Sequence, residues 1–437
     1  MVKLLLFGLA ALAASASPHA FASAIGSAKE LNALDKLFQP AQSPSNPARN
    51  TFIIALNGDS DHFVTADSLE GGKLVREDKY ESDRIQAIAN SCSDCNIVFL
   101  HAQRGQAHWY TANGPWATYL RVYSRGQKLL ERTVSTINLA DPEVNIDLIK
   151  FANGLFGSSN LHLIYRGHSF LPAYAPASSD GIAPFDYEDP ESPYGPDQFV
   201  QSMQSATSAI GRPLSSVVLA ACRMSYFDLT ARLSKSAKYF VATQVDVLES
   251  LDVGFDYQAV SDTKDAMSEH DVASLLAQKL LDRFDSVADV REAMMEYPTT
   301  LFDLTGADDL KKEFDSVLKS VLLLIPRALT DPLIVQSAGV ERRLSKRYLE
   351  SLKAGGKSNS EISATASFVR VPSPASGDLD VIGFLSAVGK DTRLASEGAL
   401  LARIRALSNA LDAKLVLRSS SPYSKMSGLS FLAADYQ

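Results

Sequence analysis

The sequence predicts an α/β fold, a mostly parallel sheet flanked by helices, with a more helical C-terminal region. Three observations predict it. Short runs that are apolar almost throughout, as strands covered on both faces must be, punctuate the first 260 residues. Amphipathic stretches alternate with them, strand then helix, the order that builds parallel sheets with helices on both faces. The 437 residues are 46% hydrophobic and 21% charged, enough apolar material for a sizeable core over most of the length.

The elements follow in order. Met1-Val-Lys, the apolar run LLLFGLAALAA and the A-x-A arrangement of Ala20 and Ala22 compose a secretory signal peptide over residues 1–22. The apolar run is too short to span a bilayer comfortably, and no later stretch is long and apolar enough to do so. The expectation is therefore an exported protein, periplasmic or secreted, without an integral membrane segment once the signal is removed. Residues 23–49 read as a leader or linker, because SPSNPARN is rich in Pro, Ser and Asn and carries no apolar period.

Strands are predicted at TFIIAL (51–56), NIVFLHA (96–102), YLRVY (119–123), LHLIY (161–165), SSVVLAA (215–221) and YFVAT (239–243). Helices are predicted near 80–90, 145–156, 196–209 and 226–236, which makes residues 50–260 one α/β domain. From 261 to 437 the chain reads as an α-rich region packed on that domain. HDVASLLAQKLLDRFDS and DDLKKEFDSVLKSVLLLIP carry apolar residues at helical spacing. Residues 354–378 are Gly/Ser/Pro-rich loop, and KLVLRSSSPYSKMSGLSFLAADY resembles two short strands around a turn.

The formal net charge of −8 argues against nucleic acid as a partner, since phosphate binding needs a basic face. Of the three cysteines, Cys92 and Cys95 in NSCSDCN are close enough to pair with each other, as an oxidising compartment permits. A redox dithiol would need a helix N-terminus after a strand. Cys95 instead leads into a strand, which suits a local staple. Cys222 is left over, either a buried small hydrophobe or a reactive thiol.

Open parallel sheets place their ligand sites beyond the carboxyl ends of the strands. His168 follows LHLIY after Arg-Gly, and Cys222 follows SSVVLAA directly, 54 residues later. A thiolate nucleophile needs a nearby imidazole, and an amide-cleaving site also needs backbone donors for the oxyanion. The N–H of Ser169 is one such donor. The other histidines are weaker candidates. His162 lies inside a strand run and reads as structural, and His62, His101 and His108 have no zinc spacing. Asn57 and Asp59 either orient the imidazole or serve the turn NGDSD.

These stretches resemble the clostripain family of cysteine peptidases, in the caspase-like clan. TFIIALNGDSD, NIVFLHAQRG, LHLIYRGHSF and VVLAACRMSYFDLTARLSKSAKYFVATQ carry the resemblance, which covers residue 50 to the end and rests on order and spacing more than on identity. The family's strand-end His-Gly aligns with His168, and its Asp-Ala-Cys-Leu-Met aligns with Cys222 of AACRM. ATQVDVLESLDVGFDY looks like its Ser-Glu-Glu…Gly-Trp-x-Tyr segment, and SGLSFLAADY like its Gly-Leu-Ser ending. The resemblance implies a caspase-like sheet and a Cys222–His168 dyad, with the backbone N–H groups of Ser169 and Cys222 as oxyanion donors.

Three departures alter what it implies. Ser169 replaces the glycine after the histidine and tolerates fewer backbone angles. Ala220 stands where the family has the Asp that helps hold a basic P1 side chain, so the P1 preference is not strictly basic. Arg223 replaces Leu beside the thiol, where it either lowers the thiol pKa, favours an acidic substrate, or is a solvated surface arginine. Residues 171–198 hold six prolines and six acidic residues, and no Lys or Arg occurs between Arg166 and Arg212. Self-cleavage after a basic residue, as in the family, is therefore not expected there. No cofactor is required. Asp180, Asp186, Glu188, Asp189 and Glu191 either bind Ca²⁺ or form a solvated acidic loop. The expected partner is a peptide or protein, bound as substrate of an exported cysteine endopeptidase or as ligand of a catalytically inactive relative.

Overall fold

The computed structural model describes residues 33–58, 63–65, 74–103, 117–135, 137, 139, 141–157, 159–167, 196–221, 224–244, 256–286, 299–338, 353, 356, 358, 378–419, 427–432 and 436. The chain order begins with β1 (Asn50–Gly58), the short strands β2 (Phe63–Thr65) and β3 (Leu74–Arg76), α1 (Glu77–Ser91) and β4 (Cys95–Gln103). A hairpin of β5 (Ala117–Ser124) and β6 (Gln127–Ser135) leads to α2 (Pro142–Phe156) and β7 (Asn160–Arg166). Next come α3 (Pro196–Ile210), β8 (Leu214–Ala220), α4 (Phe227–Leu233) and β9 (Ala237–Thr243). The remainder is α5 (Glu269–Ser286), β10 (Thr299–Asp303), α6 (Ala307–Leu324), β11 (Asp378–Asp380), α7 (Val381–Val388), α8 (Gly398–Ala410), β12 (Val416–Ser419) and β13 (Ser430–Leu432), with shorter helices between them.

One nine-stranded sheet runs in the order β12-β10-β9-β8-β7-β1-β4-β5-β6. Its centre, β9-β8-β7-β1-β4, is parallel throughout, and antiparallel strands extend it on both sides. The central strands are buried along nearly their whole length, β8 at every position, because helices cover both faces. On one face α2, α3, α4 and α6 pack with Phe156, Phe199, Phe227 and Phe314. On the other, α1, the short helix Gln258–Ser261 and α5 pack with Ile85, Val260 and Leu276.

Within the nine-stranded sheet, two strands lack the apolar run that announces the others. β6 is an edge strand whose exposure alternates, and β10 is only five residues long. The last two strands form as the sequence suggests but do not pair with each other. β12 extends the large sheet against β10, while β13 pairs with β11.

The segment before β1 is built into the amino-terminal end of the sheet. Leu34 and Leu37 are buried in the core, and Arg132 Nη1 donates to the carbonyls of Leu37 at 2.9 Å and Gln39 at 2.6 Å. Ala48 donates its N–H to Asn96 Oδ1 at 3.0 Å, and its carbonyl accepts from Asn96 Nδ2 at 2.9 Å and Ser159 Oγ at 2.6 Å. Asn50 is in register with Cys95 and Asn160, so these bonds lie at the strand ends remote from the carboxyl edge. A disulfide joins Cys92 and Cys95 across the turn from α1 into β4. Two of the three cysteines are thereby used, and arithmetic leaves Cys222 without an intrachain partner. No described helix is long and apolar enough to cross a membrane. Residues 1–32, including the signal-peptide region, lie outside the described residues.

His162 is a core residue of β7. Its ring stacks on Phe52, Nδ1 lies 2.9 Å from Ser216 Oγ, and Nε2 lies 3.4 Å from Asn50 Oδ1. Burial pushes its pKa down to about 3. The folded value lies below the unfolded one, so the stability this histidine contributes is complete above its unfolded pKa of about 6.5 and is lost as pH falls toward 3. At about 1.4 kcal/mol per unit, roughly 2 kcal/mol is expected to go between pH 6.5 and 5. Urea denaturation at pH 7 and 5 checks this. His162→Gln should lose less stability across that interval than the wild type, since the carboxylate titrations are common to both.

Candidate active site

The sheet has one point where its strand order turns. From β1 the chain moves to β4 on one side, whereas β7, β8 and β9 are laid down successively on the other. The crevice beyond the carboxyl ends at such a switch point is where open α/β sheets bind ligands. Arg166, the last residue of β7, is in register with Leu56 of β1 and Ala220 of β8. It therefore stands at the switch point, and the ends of β7 and β8 are level.

Arg166 is buried, and so is its partner. Its Nε donates to Glu81 Oε1 at 2.9 Å, and its Nη1 reaches the Ala220 carbonyl at 3.4 Å. The second oxygen of Glu81 accepts from Tyr257 Oη at 2.7 Å. Glu81 shares the inward stripe of α1 with Ile85 and Ala89, four and eight residues on, so a carboxylate occupies a core position. Burial, and then the Glu81 charge, hold the Tyr257 hydroxyl well above its ordinary pKa, so it remains a donor. A buried charge of this kind is tolerated only when it is paired and hydrogen-bonded. The triad ties α1 and the 257 segment to the ends of β7 and β8.

A second set of bonds grips the chain just after β8. The Ala221 carbonyl accepts from the Thr243 hydroxyl at 3.1 Å, and the Thr243 carbonyl accepts from the Ser225 N–H at 3.0 Å. Thr243, the last residue of β9, thus holds both ends of the stretch 221–225. The Ser225 carbonyl in turn accepts from the Ser430 N–H at 2.9 Å, which docks β13. Next to Thr243, Gln244 donates to Asp380 Oδ2 at 2.9 Å and accepts from the Gly428 N–H at 3.1 Å. Asp380 also accepts from the N–H of Gly383 at 2.6 Å, capping α7, and from the Ser427 N–H and hydroxyl at 2.6 and 2.8 Å. Burial outweighs these four bonds and raises its pKa.

Solved structures share this architecture. An inactive zymogen C11 protease from Parabacteroides distasonis aligns with a TM-score of 0.53 at 13% identity, over 89% of this chain and 92% of that chain. A secreted C11 cysteine protease from Bacteroides thetaiotaomicron, iotapain, aligns with 0.52 at 11% identity, over 89% and 94%. A secreted C11 cysteine protease from the same organism, in complex with an irreversible peptide inhibitor, aligns with 0.51 at 10% identity, over 88% of each chain. The fold is that of the clostripain-type proteases. At these identities the likeness is one of fold, and no family model and no curated protein matches the chain.

Within the clostripain-type fold, the residues predicted from sequence divide into two groups. Ala220 is described: it is buried, its methyl shares the α1 face of the sheet with Ile164 and Tyr257, and it sits beside Arg166. His168, Ser169, Cys222 and Arg223 lie outside the described residues, as does the acidic stretch 180–191. In sequence, His168 is the second residue after Arg166 and Cys222 the second after Ala220, so each follows one member of a register pair. Among the described residues, no group of His, Cys, Asp and Glu is arranged to hold a metal ion.

Sequence reading missed Glu81, Arg166, Tyr257 and Thr243 as the residues that meet at the carboxyl ends of the central strands. A charge closing the apolar run LHLIY was a signal for Arg166. Glu81 offered none, since a glutamate in the polar first turns of a helix is ordinary.

Proposed function

We propose that the protein is an exported cysteine endopeptidase in which Cys222 is the nucleophile and His168 the general base. The observation that carries this reading is the register of Arg166 with Ala220 at the switch point of a clostripain-type sheet. Two residues of the chemistry that thiol proteolysis needs follow those two positions at equal distance. Cys222 attacks the scissile carbonyl as thiolate after His168 has taken its proton. The N–H groups of Ser169 and Cys222 stabilise the oxyanion, and His168 returns the proton to the leaving amine. Water then hydrolyses the thioester.

The surroundings of Ala220 support a P1 preference other than Lys or Arg. Its methyl offers no carboxylate, and the nearby Glu81 already accepts from both Arg166 and Tyr257. A second guanidinium or ammonium brought there meets the Arg166 cation, and the Glu81 carboxylate is already paired with that cation. Export is supported by the signal-like N-terminus and by the secreted status of the Bacteroides proteases of like fold.

The test is covalent capture. Thiol-directed peptide electrophiles that differ only at P1 are incubated with the protein, and the adduct is mapped by mass spectrometry. The expected result is time-dependent modification of Cys222, faster with uncharged P1 residues than with Lys or Arg. Modification no faster than by iodoacetamide alone, whatever the peptide, would favour the reading as a catalytically inactive peptide-binding relative.

A further inference from the structure

We infer that residues 33–49 are a permanent strap of the working protein, so that maturation cuts no bond between Ala33 and Asn50 and activation does not pass through removal of this segment. A segment preceding a catalytic domain has one of two fates. An inhibitory pro-segment lies across the substrate crevice and is cut away, whereas a strap belongs to the folded core and stays. The crevice is that of the peptidase reading above, but the bonds of the strap do not depend on it.

The hold begins with apolar burial. Ala33, Leu34 and Leu37 belong to the main core, and Phe38 packs on Phe151 of α2 with ring centroids 5.8 Å apart. Arg132 of β6 lies over the same Phe151 ring and donates to the carbonyls of Leu37 and Gln39, which joins the segment to the edge strand. Ser43 Oγ donates to the Gly154 carbonyl of α2 at 3.2 Å. The Arg125 guanidinium donates to the carbonyls of Asn46 at 3.2 Å and Pro47 at 3.5 Å, and Ala48 is fixed on Asn96 and Ser159.

Arg49 is the last basic residue before β1, where a cut would free the α/β domain. Its N–H donates to Asp265 Oδ1 at 2.7 Å, and its carbonyl accepts from the Asn160 N–H at 2.7 Å. Asn50 on the other side of the bond is buried and already in the sheet. Proteolytic nicking favours exposed loop tips over chain engaged in this way. The partners of the segment lie on α2, on β6 and at the amino-terminal strand ends. The ligand crevice belongs to the carboxyl ends, and at β7 it is separated from β6 by β1, β4 and β5. Removing residues 33–49 therefore uncovers core and leaves the crevice as it was.

Three measurements test this. The intact mass of the full chain recovered after export should place its N-terminus upstream of Ala33. A chain that begins at Asn50 should be insoluble or melt about 10 °C or more below the full chain, since two buried leucines and the carbonyl partners of Arg132 and Ser159 go with the segment. For a readout that survives a folding failure, the recognition site of a sequence-specific protease is inserted between the exposed Ser45 and Asn46, and the folded protein is cut there. The fragment ending at Ser45 should remain bound through gel filtration, with the rate of peptide cleavage near that of the uncut protein. A working protein that begins at Asn50, or a truncated chain as stable as the full one, overturns the inference. Release of the fragment overturns it too, and a rise in cleavage on release would make the segment an inhibitor. A wild-type protein with no Cys222-dependent cleavage defeats the peptidase reading alone, because mass, melting and fragment retention need no activity.

Discussion

Cys222→Ala is expected to lower kcat on any cleaved peptide by about 10⁴-fold or more, close to 5–6 kcal/mol of transition-state stabilisation, with the fold intact. The size follows from what is deleted. Without the thiol no acyl-enzyme forms, and the oxyanion donors and substrate binding supply only what remains. His168→Ala should cost a comparable factor, because an unassisted thiol is mostly protonated at neutral pH. In the proposed mechanism the two act as one unit, so the double variant should be little slower than either single one. Steady-state kinetics on the three variants checks this, with thermal melting to establish that each is folded. A double variant whose loss is the product of the single losses would mean that the residues serve different steps. Retained turnover in Cys222→Ala would remove the thiol from the chemistry.

The legibility of the fold and of the site differed for physical reasons. Strands covered on both faces write themselves as continuous apolar runs, and TFIIAL, LHLIY and SSVVLAA therefore mark three neighbouring strands of the sheet centre, β1, β7 and β8. The helices between them were equally plain: residues 196–209 were expected and Pro196–Ile210 are observed. The edge strand β6 was not, because one side of it meets water and its pattern QKLLERTVS is polar at most positions. Pairing was less legible than existence. The final two strands were read as two short strands around a turn, yet each pairs with a strand from elsewhere, and nothing local to KLVLRSS or GLSFL specifies β10 or β11. The candidate nucleophile and base were proposed because strand-end His and Cys are chemically conspicuous. The buried charged groups at the strand ends were invisible for the opposite reason. Glu81 and Tyr257 are 176 residues apart and acquire meaning only by meeting across the sheet face.

The buried Arg166–Glu81 pair makes the largest stability prediction. Arg166→Met leaves an apolar side chain of similar reach but strands the Glu81 carboxylate among Ile85, Ala220 and Val260. Removing one member of a buried pair typically costs about 3–5 kcal/mol, far more than the pair contributes over an apolar replacement. Tyr257 goes on donating to Glu81, so the remedy must keep an acceptor. Glu81→Gln in the Arg166→Met background does so without a charge, and the double variant should recover most of the lost stability, whereas Glu81→Leu leaves the tyrosine hydroxyl buried without this acceptor, at about 1–3 kcal/mol. Urea denaturation of the single and double variants separates these outcomes. Equal losses in the single and double variants would mean that the guanidinium acts by packing and not by charge.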